Sequence, residues 1–320
     1  MPRTPQAPLA VVAIGGHAFI EEGEEGTIQD HERNAEQVSQ TLVTLVKKGY
    51  RLVITHGNGP QVGSLLTQQE RSGEEVPPMP LDVLVAMTEG SLGYILQQSL
   101  LNRLHEAGLP RRVVTMVTQV VVDPHDVAFD EPTKPIGPVL SESSARRREE
   151  ELGWEVKEVG DDRWRRVVPS PRPLEVLQYE MIRDVAADEH IVIAGGGGGI
   201  PVVRESGGGY SGVEGVIDKD LTSSVLATHI NASLLVILTA VPCVYRDFGT
   251  PFETPLGAVT LEEMERLRDD GQFPPGSMGP KAEAVIKFLQ EGGGRALVTD
   301  AASLPHAIEG RAGTHVVGRL

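Results

Sequence analysis

Three lysines stand where a side chain could meet a migrating anion. Lys281 closes the run Gly276-Ser277-Met278-Gly279-Pro280-Lys281 and falls in the first turn of a helix expected over Pro280–Gln290. A cation there opposes the helix dipole at a cost of about 0.3–1 kcal/mol, and a bound phosphate would reverse that sign. Lys219 lies between two carboxylates in Asp218-Lys219-Asp220, also at a helix start, where the acids could orient it. Lys134 is held in a stiff loop, Pro132-Thr133-Lys134-Pro135-Ile136-Gly137. Each alone also reads as a surface charge. Together they suit phosphoryl transfer, which needs positioning and positive charge around the migrating group more than a covalent nucleophile.

Glycines supply the complementary half of such a site. Gly15-Gly16, His56-Gly57-Asn58-Gly59-Pro60 and Gly195–Gly199 each follow a short apolar run that reads as a strand. In an open parallel sheet, ligands bind beyond the carboxyl ends of strands. Glycine there lets backbone N–H groups approach an anion closely, and helices starting just beyond add their positive ends. The familiar nucleotide fingerprints are missing. The chain has no Gly-Lys pair, which excludes a P-loop, and Gly195-x-Gly197 meets Ile200 where a dinucleotide fingerprint needs glycine.

Other reactive side chains read as structural. His17 and His56 flank glycines but form no metal-ligand pattern, and for His56 a loop-shaping hydrogen bond is preferred over acid–base work. No Gly-x-Ser-x-Gly surrounds Ser91 or Ser211, which speaks against a serine hydrolase. The single cysteine, Cys243, has apolar neighbours and reads as a buried, inert thiol.

The elements that must position these residues alternate between β-rich runs and helical patterns, the mark of parallel strands joined by crossover helices. Strands are expected at Leu9–Ile14, Arg51–Thr55, Val113–Val117, Ile191–Ala194, Leu234–Leu238, Ala296–Thr299 and Thr314–Val317. Helices are expected at Glu32–Lys48, from Pro60, at Leu81–Ala107, Leu174–Ala187 and Leu221–His229, and from a Thr260/Glu263 capping box to Arg268. Between Asp123 and Pro173 the texture changes. Prolines cluster, a charged run Arg146–Glu151 reads as a solvated helix face, and segments carrying Trp154 and Trp164 suggest a hairpin across Gly160-Asp161-Asp162. So long a bare loop would be unusual, so residues 123–173 are expected to form a small lid-like subdomain within a single domain spanning 1–320.

Composition narrows the function classes. In 320 residues, 40% are hydrophobic and 4% aromatic, enough for a large aliphatic core. A net charge of −16 repels a phosphate backbone, so no nucleic-acid partner is expected, and a small phosphate ligand must be held by locally placed cations. One cysteine permits no internal disulfide, and no run approaches a membrane span, so a cytoplasmic protein with no membrane partner is expected.

At these segments the chain resembles the carbamate kinase family of the amino acid kinase superfamily. The matching stretches are VVAIGGHA, THGNGPQVG, AMTEGSLGYILQQ, PTKPIGP, RRVVPSPRP, IVIAGGGGGIPVV, GVEGVIDKDLTSSVLA and GSMGPKAEA, running in order from Val11 to Ala284. PTKPIGP inside a protruding subdomain separates carbamate kinases from acetylglutamate, aspartate and uridylate kinases. The resemblance implies an α/β fold, a three-layer αβα sandwich around a mainly parallel sheet, usually as a homodimer. It implies reversible phosphoryl transfer between ATP and carbamate, giving ADP and carbamoyl phosphate, with Mg²⁺ carried on the nucleotide and no protein-bound metal.

Carried over by position, Gly15, Gly16, Gly57, Asn58 and Gly59 would hold carbamate and the migrating group through backbone N–H groups. Lys134 would reach in from the subdomain, Lys219 and Lys281 would neutralise phosphoryl oxygens, and Asp220 would orient those lysines. Gly196, Gly197, Gly198, Thr239, Tyr245 and Met278 would lie along the nucleotide side. Two stretches depart from the family pattern: His17, expected with Gly15 and Gly16 on the substrate and still able to donate one hydrogen bond, replaces an asparagine beside Gly16, and Ala240-Val241-Pro242-Cys243 replaces Asp-Val-Asp-Gly. The alternatives are a non-catalytic module that binds nucleotide or carbamoyl phosphate, and a kinase of another small acid.

Overall fold

The computed structural model describes residues 7–16, 19–21, 23–72, 75–160 and 162–318. The chain opens with β1 (Leu9–Ile14), α1 (Ile28–Lys47), β2 (Arg51–His56), α2 (Gly59–Ser72), α3 (Leu81–Glu106), β3 (Val113–Thr115) and β4 (Gln119–Val121). There follow β5 (Lys134–Leu140), α4 (Glu142–Leu152), β6 (Glu155–Gly160), β7 (Arg163–Val168), β8 (Glu175–Val176), α5 (Tyr179–Ala187), β9 (Ile191–Ile193), β10 (Ile200–Arg204) and β11 (Tyr210–Gly212). The last part holds α6 (Lys219–His229), β12 (Leu234–Leu238), β13 (Tyr245–Arg246), β14 (Thr254–Pro255), β15 (Ala258–Thr260), α7 (Leu261–Asp269), α8 (Met278–Gln290), β16 (Arg295–Thr299), α9 (Leu304–Ala307) and β17 (Thr314–Val317).

Eight strands form the central sheet in the order β15-β17-β16-β12-β1-β2-β9-β3. Every neighbouring pair is parallel except β16–β17. Side chains of β1 alternate between two cores, as a strand buried on both faces requires. Leu9, Val11 and Ala13 join the core shared with α5, α6, α7 and α8, while Ala10, Val12 and Ile14 join that shared with α1, α3 and α9. This is the expected three-layer sandwich. Leu92, Leu96, Leu100 and Leu104 recur along one face of α3 and are almost fully buried. Each contributes about 1.5–3 kcal/mol relative to an exposed side chain.

Several expected boundaries shift for identifiable reasons. Helix α1 begins at Ile28, ahead of Glu32, because Thr27 and Asp30 form a reciprocal capping box. The helix expected from Leu174 starts only at Tyr179. Leu174 N–H donates to Val121 O and Leu177 N–H to Gln119 O, which draws Glu175–Val176 onto the edge of β4 as a strand. Tertiary pairing overrides local pattern there. At Thr260, the hydroxyl accepts from Glu263 N at 3.1 Å and starts α7.

Strands β5, β7 and β6 make a separate antiparallel sheet under α4. The β6–β7 hairpin carries Trp164, and its core is Ala145, Trp154 and Val156 with Leu140 and Trp164 against them. Ala145 alone is buried on α4, so the charged run does form a solvated face. This sheet is fastened to α2 at two places. Glu70 accepts from Trp154 Nε1 at 2.6 Å and Arg166 Nη1 at 3.0 Å. Gly63 of α2 packs directly on Gly137 of β5: a Cβ at Gly63 would lie 2.0 Å from Gly137 Cα.

Candidate active site

Parallel pairing of β12, β1 and β2 brings Leu238, Ile14 and His56 to one edge of the sheet, with the turns that follow them. Gly57 N–H donates to Ile14 O at 3.1 Å, closing the second turn onto the first. A Cβ at Gly57 would sit 3.0 Å from Gly16 N, so glycine is needed there for the two turns to meet.

Helix α6 begins at this edge because Asp218 caps it, its Oδ1 accepting from Asp220 N at 2.9 Å. Lys219 and Asp220 are therefore its first residues. The Asp220 carboxylate, with side-chain exposure of 3%, takes the Lys219 ammonium on Oδ1 and the Lys281 ammonium on Oδ2, the latter at 3.1 Å. Lys281 comes from the first turns of α8 and also donates to Ser277 O at 3.3 Å. Lys134 arrives from the start of β5, its Nζ 2.7 Å from Asp218 Oδ2. Three elements distant in sequence thus deliver three cations around two carboxylates.

The charges shift as this packing demands. Burial lowers the Lys219 pKa, against which Asp220 favours its charged form. Burial would raise Asp218, but Lys134, with Lys219 and Lys281, outweighs it and holds the carboxyl below its ordinary range. His56 is brought down to about 4 by burial, with Lys219 adding to the effect, and stays neutral. Its Nδ1 lies 3.1 Å from Gly57 O, a loop-shaping contact.

Beside the lysines lies a cavity of about 720 Å³. Gly15, Gly16, Lys219, Thr239, Tyr245, Met278 and Lys281 line it, together with Ala240, Val241 and Phe248. The Gly57–Gly59 turn adjoins it through Gly16 and Lys219. His17 falls outside the described residues. The side chain of Asn58 turns inward, Nδ2 donating to Thr88 Oγ1 at 2.9 Å, which leaves only its backbone for a ligand.

Gly196, Gly197 and Gly198, expected along the nucleotide side, are instead buried and absent from the cavity wall. Close packing explains the glycines: at φ 66°, Gly197 would place a Cβ 2.1 Å from Asn58 Nδ2. Two residues went unnoticed in the sequence. Phe248, 57% exposed, stands at the cavity rim with its ring 5.7 Å from Tyr245. Glu89 is buried behind the glycine turn; in the sequence it is the acid next to Thr88 in the AMTEGSLGYILQQ stretch of the long helix.

A mainly parallel αβα sandwich with lysines converging beyond its strand ends defines a phosphotransferase of the amino acid kinase type, and the amino acid kinase family model matches residues 8–300. A carbamate kinase of Pyrococcus horikoshii is 44% identical over 96% of this chain and 98% of its own length. Carbamate kinase 1 of Enterococcus faecium is 46% identical over 88% and 89% respectively. Among solved structures, carbamate kinase from Giardia lamblia bound to AMP-PNP superposes with a TM-score of 0.90 at 38% identity, covering 97% of this chain and 98% of that one. The chain belongs to the amino acid kinase family, and within it to the carbamate kinases.

Proposed function

We propose that this carbamate kinase passes the phosphoryl group between ATP and carbamate with Lys134, Lys219 and Lys281 as its cationic groups and Asp220 as the residue that orients two of them. One observation carries the reading: a buried carboxylate is shared by lysines from two helix starts at the edge of the cavity. Fixed positive charge of this kind stabilises the migrating group without reorganising during transfer.

In the ATP-forming direction, which we take as the working one, a β-phosphate oxygen of ADP attacks phosphorus. The bond from phosphorus to the carbamate oxygen breaks, and its electron pair stays on carbamate. A carboxylate-type leaving group needs no proton from an acid, which agrees with His56 being buried and neutral. Amides of Gly15, Gly16, Gly57, Asn58 and Gly59 are assigned to carbamate and the phosphoryl oxygens. Thr239, Tyr245 and Met278 are assigned to the nucleotide, a reading supported by the AMP-PNP bound to the Giardia relative. Mg²⁺ enters with the nucleotide as part of the substrate, since Asp218 and Asp220 are already taken by lysines.

The same reading makes 1–320 one kinase domain and residues 123–173 its lid, supported by the way β5 is fastened to α2 and brings Lys134 to Asp218. It also takes the enzyme as a cytoplasmic homodimer. Val83, Met87 and Tyr94, exposed along α3, support a partner face.

The test is ATP formation from carbamoyl phosphate and MgADP by purified protein. Turnover should be robust in the wild type and lost in K219A, K281A and K134A. A wild-type protein that binds nucleotide without turnover would overturn the assignment, and full activity in K134A would remove that lysine from the mechanism.

A further inference from the structure

Behind the Gly57–Gly59 turn lies a buried polar cluster that the transfer reaction does not itself use. Its centre is Glu89 on α3, 1% exposed. The carboxyl group accepts from Thr118 N, 2.8 Å from Oε2, and the Glu89 side chain packs through Cγ against Gly196. Oε1 is buried with no hydrogen-bond partner among the described residues. Thr118 in turn receives Gly195 N on its hydroxyl at 2.9 Å. The backbone of Gly196 is squeezed between two side chains: a Cβ on it would meet His56 Nε2 at 2.6 Å and Glu89 Cγ at 3.0 Å. Next along the turn, Gly197 presses on the Asn58 carboxamide, which is bonded to Thr88 beside Glu89.

We infer that Glu89 is a positioning residue for phosphoryl transfer: by holding the amide of Thr118 and packing on Gly196 it presses the glycine turn against His56 and Asn58, and so sets where the amides of Gly57–Gly59 point. The inference rests on the function proposed above. A carboxyl group buried at such cost is not needed to cap α3, whose ends lie far along the helix from Glu89. Burial raises its pKa, so the neutral acid is favoured and glutamine is its close isostere. The alternative is that Glu89 merely fills space between α3 and the sheet, and that alternative makes different predictions.

The decisive comparison is E89Q with E89A, read by steady-state kinetics and by hydrogen exchange of the intact protein. E89Q should keep kcat within about threefold of wild type. E89A should lower kcat by about thirtyfold or more and raise KM for carbamoyl phosphate. It should leave the Kd for ADP within about threefold, because the cavity that receives the nucleotide lies beyond Gly16. Amides of 195–199 and 57–59 should exchange faster in E89A and at the wild-type rate in E89Q. If E89A does not fold, E89D carries the same test, since one methylene less withdraws the carboxyl from Thr118 N and the side chain from Gly196.

A folded E89A or E89D with wild-type kcat, or one that weakens carbamoyl phosphate and ADP equally, overturns the inference. Absence of turnover in the wild type would defeat the proposed function instead. The exchange comparison then still decides whether Glu89 holds the turn.

Discussion

Lys281 Nζ lies 3.1 Å from Asp220 Oδ2, and that contact ties the start of α8 to the start of α6. With Lys219 on the other carboxylate oxygen and Lys134 on Asp218, three ammonium groups face two carboxylates. The positive excess sits at two helix N-termini, where the dipoles add to it. On the proposed function, an incoming phosphoryl group is the charge that completes the arrangement.

Asp220 should therefore matter to both rate and stability. D220N removes the charge that orients both lysines and should lower kcat by about 10²–10³, the usual loss for a preorganised electrostatic group. D220A leaves two ammonium groups facing an emptied site, and breaking a buried pair in this way costs about 3–5 kcal/mol. Urea denaturation beside initial-rate assays checks both figures. A D220A protein as stable as wild type would contradict the role given to the pair.

His56 predicts an acid sensitivity. Folded, its pKa is about 4; unfolded, imidazole titrates near 6.5. Between those values the unfolded chain binds the extra proton, so stability is fully present above pH 6.5 and falls as the pH drops toward 4. The total is roughly 3 kcal/mol for this one group. H56Q should lose less stability than wild type between pH 7.5 and pH 4.5, measured by denaturant midpoints. Equal losses would mean that another group governs the acid limb.

Phe248 stands at the cavity rim beside Tyr245, which the proposed function assigns to the nucleotide. F248A should raise KM for ADP about three- to tenfold while kcat changes little, the signature of lost uniform binding. A drop in kcat at unchanged KM would argue that the ring acts on the transfer step.

The contact of Gly63 with Gly137 is backbone against backbone. In G63A the new methyl group would lie 2.1 Å from Gly137 N and could be accommodated only by moving β5 off α2. Since β5 carries Lys134, turnover should fall at least tenfold while nucleotide affinity holds. Titration calorimetry with ADP and a turnover assay separate the two. Wild-type turnover in G63A would show that the position of β5 is not set at this contact.

Much of the architecture was legible because long periodic signals are local. Alternating aliphatic strands and helices marked the sandwich, and the long helix expected at Leu81–Ala107 is α3. Short segments were not legible in this way. Glu175–Val176 reads as helix until Leu174 and Leu177 bond to β4, and strand β10 has no pattern separating it from the glycine run before it. The lysines were likewise visible from their unusual places at helix starts and in a proline-bound loop.

Their convergence was not visible. By itself the sequence determined the long elements, the charge inventory and the absence of a P-loop, since these depend on residue type and near neighbours. Tertiary structure alone decided that Lys134 meets Asp218, that Lys219 and Lys281 share Asp220, and that Gly196–Gly198 are buried as a packing surface while Gly15–Gly16 line the cavity. A glycine run that receives a ligand and one that receives a neighbouring side chain have the same composition. What distinguishes them is whatever fills the space beside the missing Cβ, and only the folded chain supplies that.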